Sequence, residues 1–311
     1  MTPRTTGRLL QRVTLSCGPP RERVGVRAGL ARRNVTSAGL ARRNAGALLT
    51  LIALCLGCSS SSPPAVRTGP PPAPTTLWQA LTAHQQAVRT MNARVRATSW
   101  IGGDRVRATV LMLVDRAGRL RFEAEVSLQG TVSILTTHDG DFQMLDLRNN
   151  RLQQGPACPA NVASLIRMPL APTEVAAILL GDVQAPAVAA AGAQVEWDAG
   201  RGADALVMRD GNVETRIFFR PDKPDEIVGA AVSGPDGPRW RATYEDLAPV
   251  GEGPRLPGNI RFAEHSDSYD QGVEIRFRDR TLNAAMPADS FTIAPPAGTK
   301  VIDVGCGVEP G

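Results

Sequence analysis

The sequence predicts an α+β chain dominated by β-structure: a strongly curved antiparallel sheet, an incomplete β-barrel of about 11–12 strands, with an N-terminal helix and a short helical lid. Three observations carry this expectation. Apolar and polar residues alternate at period two through long runs, glycine-bearing turns join consecutive runs, and two stretches switch to helical spacing.

The first helix is expected where Leu77, Ala80, Leu81, Ala87, Val88 and Met91 share one face, with Thr75 or Thr76 as its cap. His84 is the polar intruder on that face. No second ligand sits at helical spacing from it, so it reads as a hydrogen-bonded or edge-exposed histidine rather than a metal ligand. Strands follow. Val95, Ala97 and Ser99 alternate first, then Val106, Ala108, Val110, Met112 and Val114, then Leu120, Phe122, Ala124, Val126 and Leu128. Gly102-Gly103-Asp104, Arg116-Ala117-Gly118, Leu128-Gln129-Gly130 and Asp139-Gly140-Asp141 supply the hairpin turns of a meander with one dry and one wet face.

Residues 158–181 interrupt that meander: Val162, Leu165 and Ile166, then Val175, Ala176, Ile178 and Leu179, recur at helical spacing around Met168-Pro169-Leu170-Ala171-Pro172. They predict two short helices broken at the prolines. Strands resume at 195–198, 206–209, 214–220, 227–233, 239–245, 260–263, 273–279 and 291–293.

Ahead of this domain, Arg42-Arg43 precede an apolar run at 45–56 that ends Leu56-Gly57-Cys58-Ser59-Ser60. Positive residues, about a dozen apolar residues and a small residue before the cut make a secretory signal. The alternatives are an uncleaved anchor, which needs about twenty apolar residues, and a buried core helix. The Ser59–Ser62 run and Pro70-Pro71-Pro72 favour a tether after the cut. The twin arginines lack the polar and apolar surroundings of twin-arginine export, so the ordinary secretory route is expected. The expected organisation is a cleaved export segment at 1–57, a flexible Ser/Pro-rich tether at 58–74, a folded domain at 75–304 and a tail at 305–311.

Cleavage reverses the electrostatics. The chain carries a formal charge of +5, and the export segment, with ten arginines against one acid, holds +9 of it, leaving −4 for the mature chain. The basic character belongs to the signal, and no nucleic-acid partner is expected. Of five cysteines, Cys17 and Cys55 leave with the signal. Cys158 and Cys306 remain as an even pair without CxxC spacing, which in an oxidising compartment reads as one structural disulfide; two buried thiols are the alternative.

Chemistry-bearing motifs are sparse. The segment Val301-Ile302-Asp303-Val304-Gly305-Cys306-Gly307 looks like a methyltransferase glycine loop, which requires a helix and further parallel strands after it. His138-Asp139-Gly140-Asp141, and His265 with Asp267 and Asp270, fall short of a coordination set, and Asp-Gly suits a hairpin. GxSxG, HExxH and P-loop patterns are missing, and the CxxC spacing at Cys55-Leu56-Gly57-Cys58 straddles the expected cut, so no enzyme, cofactor or metal is expected.

Two resemblances follow from these residues. Leu56-Gly57-Cys58 resembles a bacterial lipobox, which implies that Cys58 is the lipidated first residue of the mature chain. The order of helix, meander, helical segment ending Ile178-Leu179-Leu180-Gly181, and second meander resembles the LolA/LolB superfamily. Leu256-Pro257-Gly258-Asn259-Ile260, Asn283-Ala284-Ala285-Met286-Pro287 and the phrase from Phe291 to Gly298 add to it. The resemblance implies a half-barrel whose lidded apolar cavity holds acyl chains. Candidate lining residues are Val110, Met112, Phe122, Ala124, Val126, Ile134, Leu165 and Ile178, each of which ordinary core packing also explains. Leu128 corresponds to an apolar loop residue of the LolB branch, although it also continues the inward alternation. The functional expectation is a lipid-anchored lipoprotein at the periplasmic face of the outer membrane that carries or accepts acyl chains of lipoproteins or other lipids. The alternative is a structural lipoprotein with a filled cavity that serves an envelope protein assembly.

Overall fold

The computed structural model describes residues 65–101, 104–126, 129–184, 192–264 and 272–307. Cys58, Leu128, His265, Asp267 and Asp270 lie outside them, as does the expected export segment.

The elements run α1 (Pro74–Ala87), β1 (Thr90–Ile101), β2 (Asp104–Asp115), β3 (Arg119–Val126), β4 (Gly130–His138), β5 (Asp141–Asp146), β6 (Arg151–Pro156), α2 (Pro159–Ile166) and α3 (Pro172–Leu179). The second half runs β7 (Gln194–Asp198), β8 (Ala203–Asp210), β9 (Val213–Arg220), β10 (Lys223–Gly234), β11 (Gly237–Glu245), β12 (Ala248–Pro249), β13 (Arg255–Leu256), β14 (Asn259–Glu264), β15 (Gly272–Leu282) and β16 (Lys300–Asp303). Fourteen of these described strands form one curved sheet in the order β16-β6-β5-β4-β3-β2-β1-β15-β14-β11-β10-β9-β8-β7, not closed into a barrel; β12 and β13 pair separately. Neighbours are antiparallel except β16, which lies parallel to β6.

All three described helices begin with a proline at the first helical turn and an extended residue before it. Proline's fixed φ is preorganised for that position, and its missing N–H would have been unpaired there anyway. Pro74, not Thr75 or Thr76, therefore starts α1; its N-cap is Ala73, with no side-chain cap. The helix ends before Val88, and Met91, expected on its apolar face, is the second residue of β1.

The strand count exceeds the expectation because three short pairings have weak alternation: β6 with its Gln153-Gln154-Gly155, the parallel β16, and the β12–β13 ribbon. The strand expected at 291–293 does not form. Ala288–Phe291 is a 3-10 turn, and the Ile293 N–H donates to the Gln143 side chain at 3.0 Å instead of to a neighbouring strand.

The concave face divides in two. Over β8–β11 and β14, Leu206, Met208, Ile217, Phe219, Trp240, Tyr244 and Phe262 pack solidly, and α1 sets Leu77 and Leu81 onto β8 and β10. Over β1–β4, the helices α2 and α3 take the covering role, α3 on β2 and β3, α2 on β4. On the convex face a C-terminal segment straps β3–β6. Arg121 donates to the carbonyls of Ser290 and Thr292, Phe291 and Ile293 are buried, and β16 adds its four-residue pairing. Cys158, the N-cap of α2, and Cys306 stand as a disulfide pair with Cα atoms 6.0 Å apart.

Candidate functional site

Beneath the lid lies an apolar cavity of about 230 Å³, and the register of four strands explains it. Ala97 of β1 lies opposite Ala108 of β2 and Ile275 of β15, while Ser99 faces Val106 and Val273. One row further on, Val110 faces Ala124, which faces Ser133. Ala97, Ser99, Ala108, Ala124 and Ser133 thus put small side chains side by side where the other half of the sheet carries Phe, Trp and Tyr. A close-packed interior leaves no such gap unless the side chains are too short to fill it. Met112 and Phe122 form the floor, and Leu165, Ile166, Met168 and Leu179 the roof.

Six of the eight expected lining residues meet here: Val110, Met112, Phe122, Ala124, Val126 and Leu165. Two do not. Ile134 is on the convex face, packed with Leu145, Leu152 and Ile293. Its misplacement has a definite cause: the β3–β4 register shifts between Ala124 and Glu125, leaving Val132 as an extra residue. A bulge of one residue exchanges the faces of everything beyond it. Both Val132 and Ser133 consequently line the cavity, and Leu135 rather than Ile134 continues inward. Ile178 is fully buried in the core beneath the lid, and its neighbour Leu179, one helical step of about 100° around α3, reaches the cavity.

The two lid helices are held very differently. All of Val175–Leu179 in α3 is buried, and the chain just after it is locked by a buried polar cluster. Asp182, with no solvent exposure, accepts from Arg116 Nη1 at 3.0 Å and Nη2 at 2.8 Å, and its carbonyl accepts from the Tyr244 hydroxyl at 2.6 Å. Arg116 also donates to the Val88 carbonyl at 2.6 Å, and Gln85 donates to Val183 at 3.1 Å. His84 Nε2 lies 3.0 Å from the Leu180 carbonyl and 3.5 Å from Asp182 Oδ2, so the polar intruder of α1 is a structural partner of the lid. Burial pushes the Asp182 carboxyl up from its ordinary range against the opposing pull of Arg116 and His84, and the same burial, with the Asp182 charge nearby, raises the Tyr244 phenol well above its usual value. Sequence reading missed Arg116, Asp182 and Tyr244, which come from three distant segments.

In contrast, α2 is eight residues long, has no side-chain cap and no acid in its first turn, and ends with Arg167 in the left-handed region at φ 56°. Leu165 and Ile166 are only half-buried. A helix this short has little stability of its own, so beyond the disulfide at its N-cap its position depends on packing across the cavity.

The remaining candidates take structural places. Asp139 (φ 49°) and Gly140 (φ 89°) form the left-handed turn between β4 and β5, and His138 Nδ1 is 3.1 Å from Asp139. No group of three His, Cys, Asp or Glu able to hold a metal occurs among the described residues. A polar hollow of about 440 Å³ under the C-terminal strap includes His138, Asp141 and Asp303, with Gln154 donating to Asp303 at 2.8 Å. The glycine-rich segment at 301–307 contributes β16 and the disulfide, not a strand leading into a helix.

Fold and site define a class: an open, curved antiparallel sheet with helices laid over an apolar hollow on its concave side. Solved structures similar to this chain include a domain assigned to outer membrane lipoprotein sorting, from Vibrio parahaemolyticus (10% identity, TM-score 0.48, 69% of this chain and 94% of that one). A DUF1329 family protein from Desulfovibrio piger (8%, TM-score 0.48, 72% and 98%) and a LolA superfamily protein from Nitrosomonas europaea (11%, TM-score 0.46, 70% and 97%) are also similar. No protein-family model and no curated protein matches the sequence.

Proposed function

We propose that this chain is a lipid-anchored envelope lipoprotein whose cavity binds acyl chains, as a carrier or acceptor rather than an enzyme. The observation that carries this reading is the unfilled apolar hollow between α2 and the small-residue belt of β1–β4. A wholly packed interior, the alternative of a structural lipoprotein, describes only the β8–β11 half of the concave face.

Size sets the mechanism. A cavity of about 230 Å³ exceeds the roughly 150 Å³ that admits benzene, yet is below the roughly 300–1,000 Å³ of most ligand sites. A hollow of this size accommodates part of one acyl chain. Longer or multiple chains require α2 to move outward, while α3, held through Asp182, remains as the fixed wall. Each methylene transferred from water contributes about 0.8 kcal/mol, so six to eight of them supply on the order of 5–6 kcal/mol toward displacing an eight-residue helix.

The test is uptake of a fluorescent fatty acid by the full chain carrying Ala124→Trp. Ala124 faces Val110 and Ser133 within the hollow, so an indole there occupies it. Saturable uptake by the parent, lost in the variant, supports carriage; equal uptake by both, or none by the parent, refutes it.

A further inference from the structure

The N-terminal approach to the domain is fastened at the end of the sheet opposite the cavity rim. The Ala65 N–H donates to the Ala199 carbonyl at 2.9 Å, and the Trp197 indole Nε1–H donates to the Ala65 carbonyl at 2.9 Å. Arg67 lies 5.7 Å over the Trp197 ring and pairs with Asp204, whose side chain is almost fully buried. Gly202 has no side chain where Ala65 comes close: a Cβ there would lie 3.1 Å from that of Ala65.

The ladder fixes where this lies. The cavity rim is at the Ser99 end of β1, beside Val106 and Val126. Passing from β1 through β15, β14, β11, β10, β9 and β8 to β7, every strand pair is antiparallel. Direction therefore alternates seven times, and the turn at 199–202 falls at the far end, with the Arg116–Gly118 turn and the C-terminus of α1. Seven peptide steps separate Cys58 from Ala65, a reach of at most about 25 Å. The twelve residues of β1 span about 40 Å, or about 30 Å along a barrel axis after strand tilt.

We infer that the acyl group on Cys58 holds the cavity rim away from the membrane that carries it. This rests on the lipoprotein reading proposed above. Val106 is 52% exposed, Trp100 is half-buried with Arg105 5.6 Å over its ring, and Arg107 and Arg167 are exposed at the cavity edge.

The orientation is measurable in the acylated full chain, reconstituted in vesicles whose headgroups carry a dansyl acceptor. Energy transfer is compared between the parent and its Trp100→Phe and Trp197→Phe variants. The expected result is that removing Trp197, beside the tether, abolishes more transfer than removing Trp100, at the rim. Equal losses, or a greater loss on removing Trp100, overturn the inference. Mass spectrometry of the reconstituted protein reads the acyl group on Cys58 separately; its absence overturns both the anchor and the orientation. Fatty-acid uptake in vesicle-free buffer reports on carriage alone, so the two readings fail distinguishably.

Discussion

Asp182 ties three segments together: its carboxylate joins the end of the lid to the β2–β3 turn through Arg116, and its backbone carbonyl accepts from Tyr244 of β11. Removing one member of a buried ion pair leaves the other charge without its partner, at about 3–5 kcal/mol. Arg116→Met is expected to lower stability by that order, read as a shift in denaturation midpoint with unchanged m-value. The pH dependence has a definite sign. Because the folded-state pKa of Asp182 is raised, its contribution is fully present below the unfolded carboxylate pKa and is lost as pH rises through the folded value. Glu214 and Glu274 behave oppositely. Arg216 bonded to Glu214, and Arg276 to Glu274, hold these carboxyls below their usual range, so their stabilisation is lost as pH falls through the folded values. Asp182→Asn is therefore expected to be less destabilising at pH 7 than at pH 4, and denaturation at the two pH values checks it. Little of this cluster was legible beforehand. His84 stood out as a polar residue on an apolar face, but nothing local marked Arg116 or Asp182, which meet only through tertiary packing.

At the scale of elements, the C-terminal strap depends on one close backbone approach and one covalent link. The Val304 carbonyl lies so near Gly155 that a Cβ at that position would overlap it, while the Val304 N–H donates to Gln154 at 2.8 Å. Gly155→Ala should lift β16 from β6 and destabilise by about 1–3 kcal/mol, with faster amide exchange confined to those two strands. Loss of the disulfide through Cys306→Ser releases a loop with a sequence separation of 148, for which chain entropy predicts up to about 5 kcal/mol. The hairpin-linked strands and the pair of lid helices were readable because alternation and proline placement are local signals. Register was readable as far as chain length between strands fixes it: the two-residue interval between Ile101 and Asp104 sets Ala97 against Ala108, and the three residues after Asp115 set Val110 against Ala124. The bulge at Ala124–Glu125 has no comparable local sign, which is why Ile134 was assigned to the wrong face. A parallel pairing such as β16 with β6 joins residues about 150 apart, beyond what turn chemistry can specify.

For the molecule as a whole, the functional distinction comes from unequal filling of one concave surface. Aromatic side chains make one half solid, and a belt of alanine and serine leaves the other half hollow beneath a weakly held helix. Sequence reading named Ala124 but passed over Ala97, Ser99, Ala108 and Ser133, since it sought the residues that touch a ligand rather than those that make room for it. Among the described residues no helix is long and apolar enough to cross a membrane. Lid movement also has a direct consequence. Tying α2 down through an engineered disulfide between Ser164→Cys and Met144→Cys, whose side chains touch at 3.3 Å, should slow fatty-acid uptake at least tenfold beside a Ser164→Ala, Met144→Ala variant that keeps only the native disulfide.

The most direct measurement is native mass spectrometry of the purified full chain, parent beside Ala124→Trp, for bound lipid. Acyl-chain carriage predicts a co-purifying or added acyl-chain ligand on the parent, displaced in the variant while the fold is retained. A parent that remains ligand-free after incubation with fatty acid, or a variant that binds equally well, would contradict it.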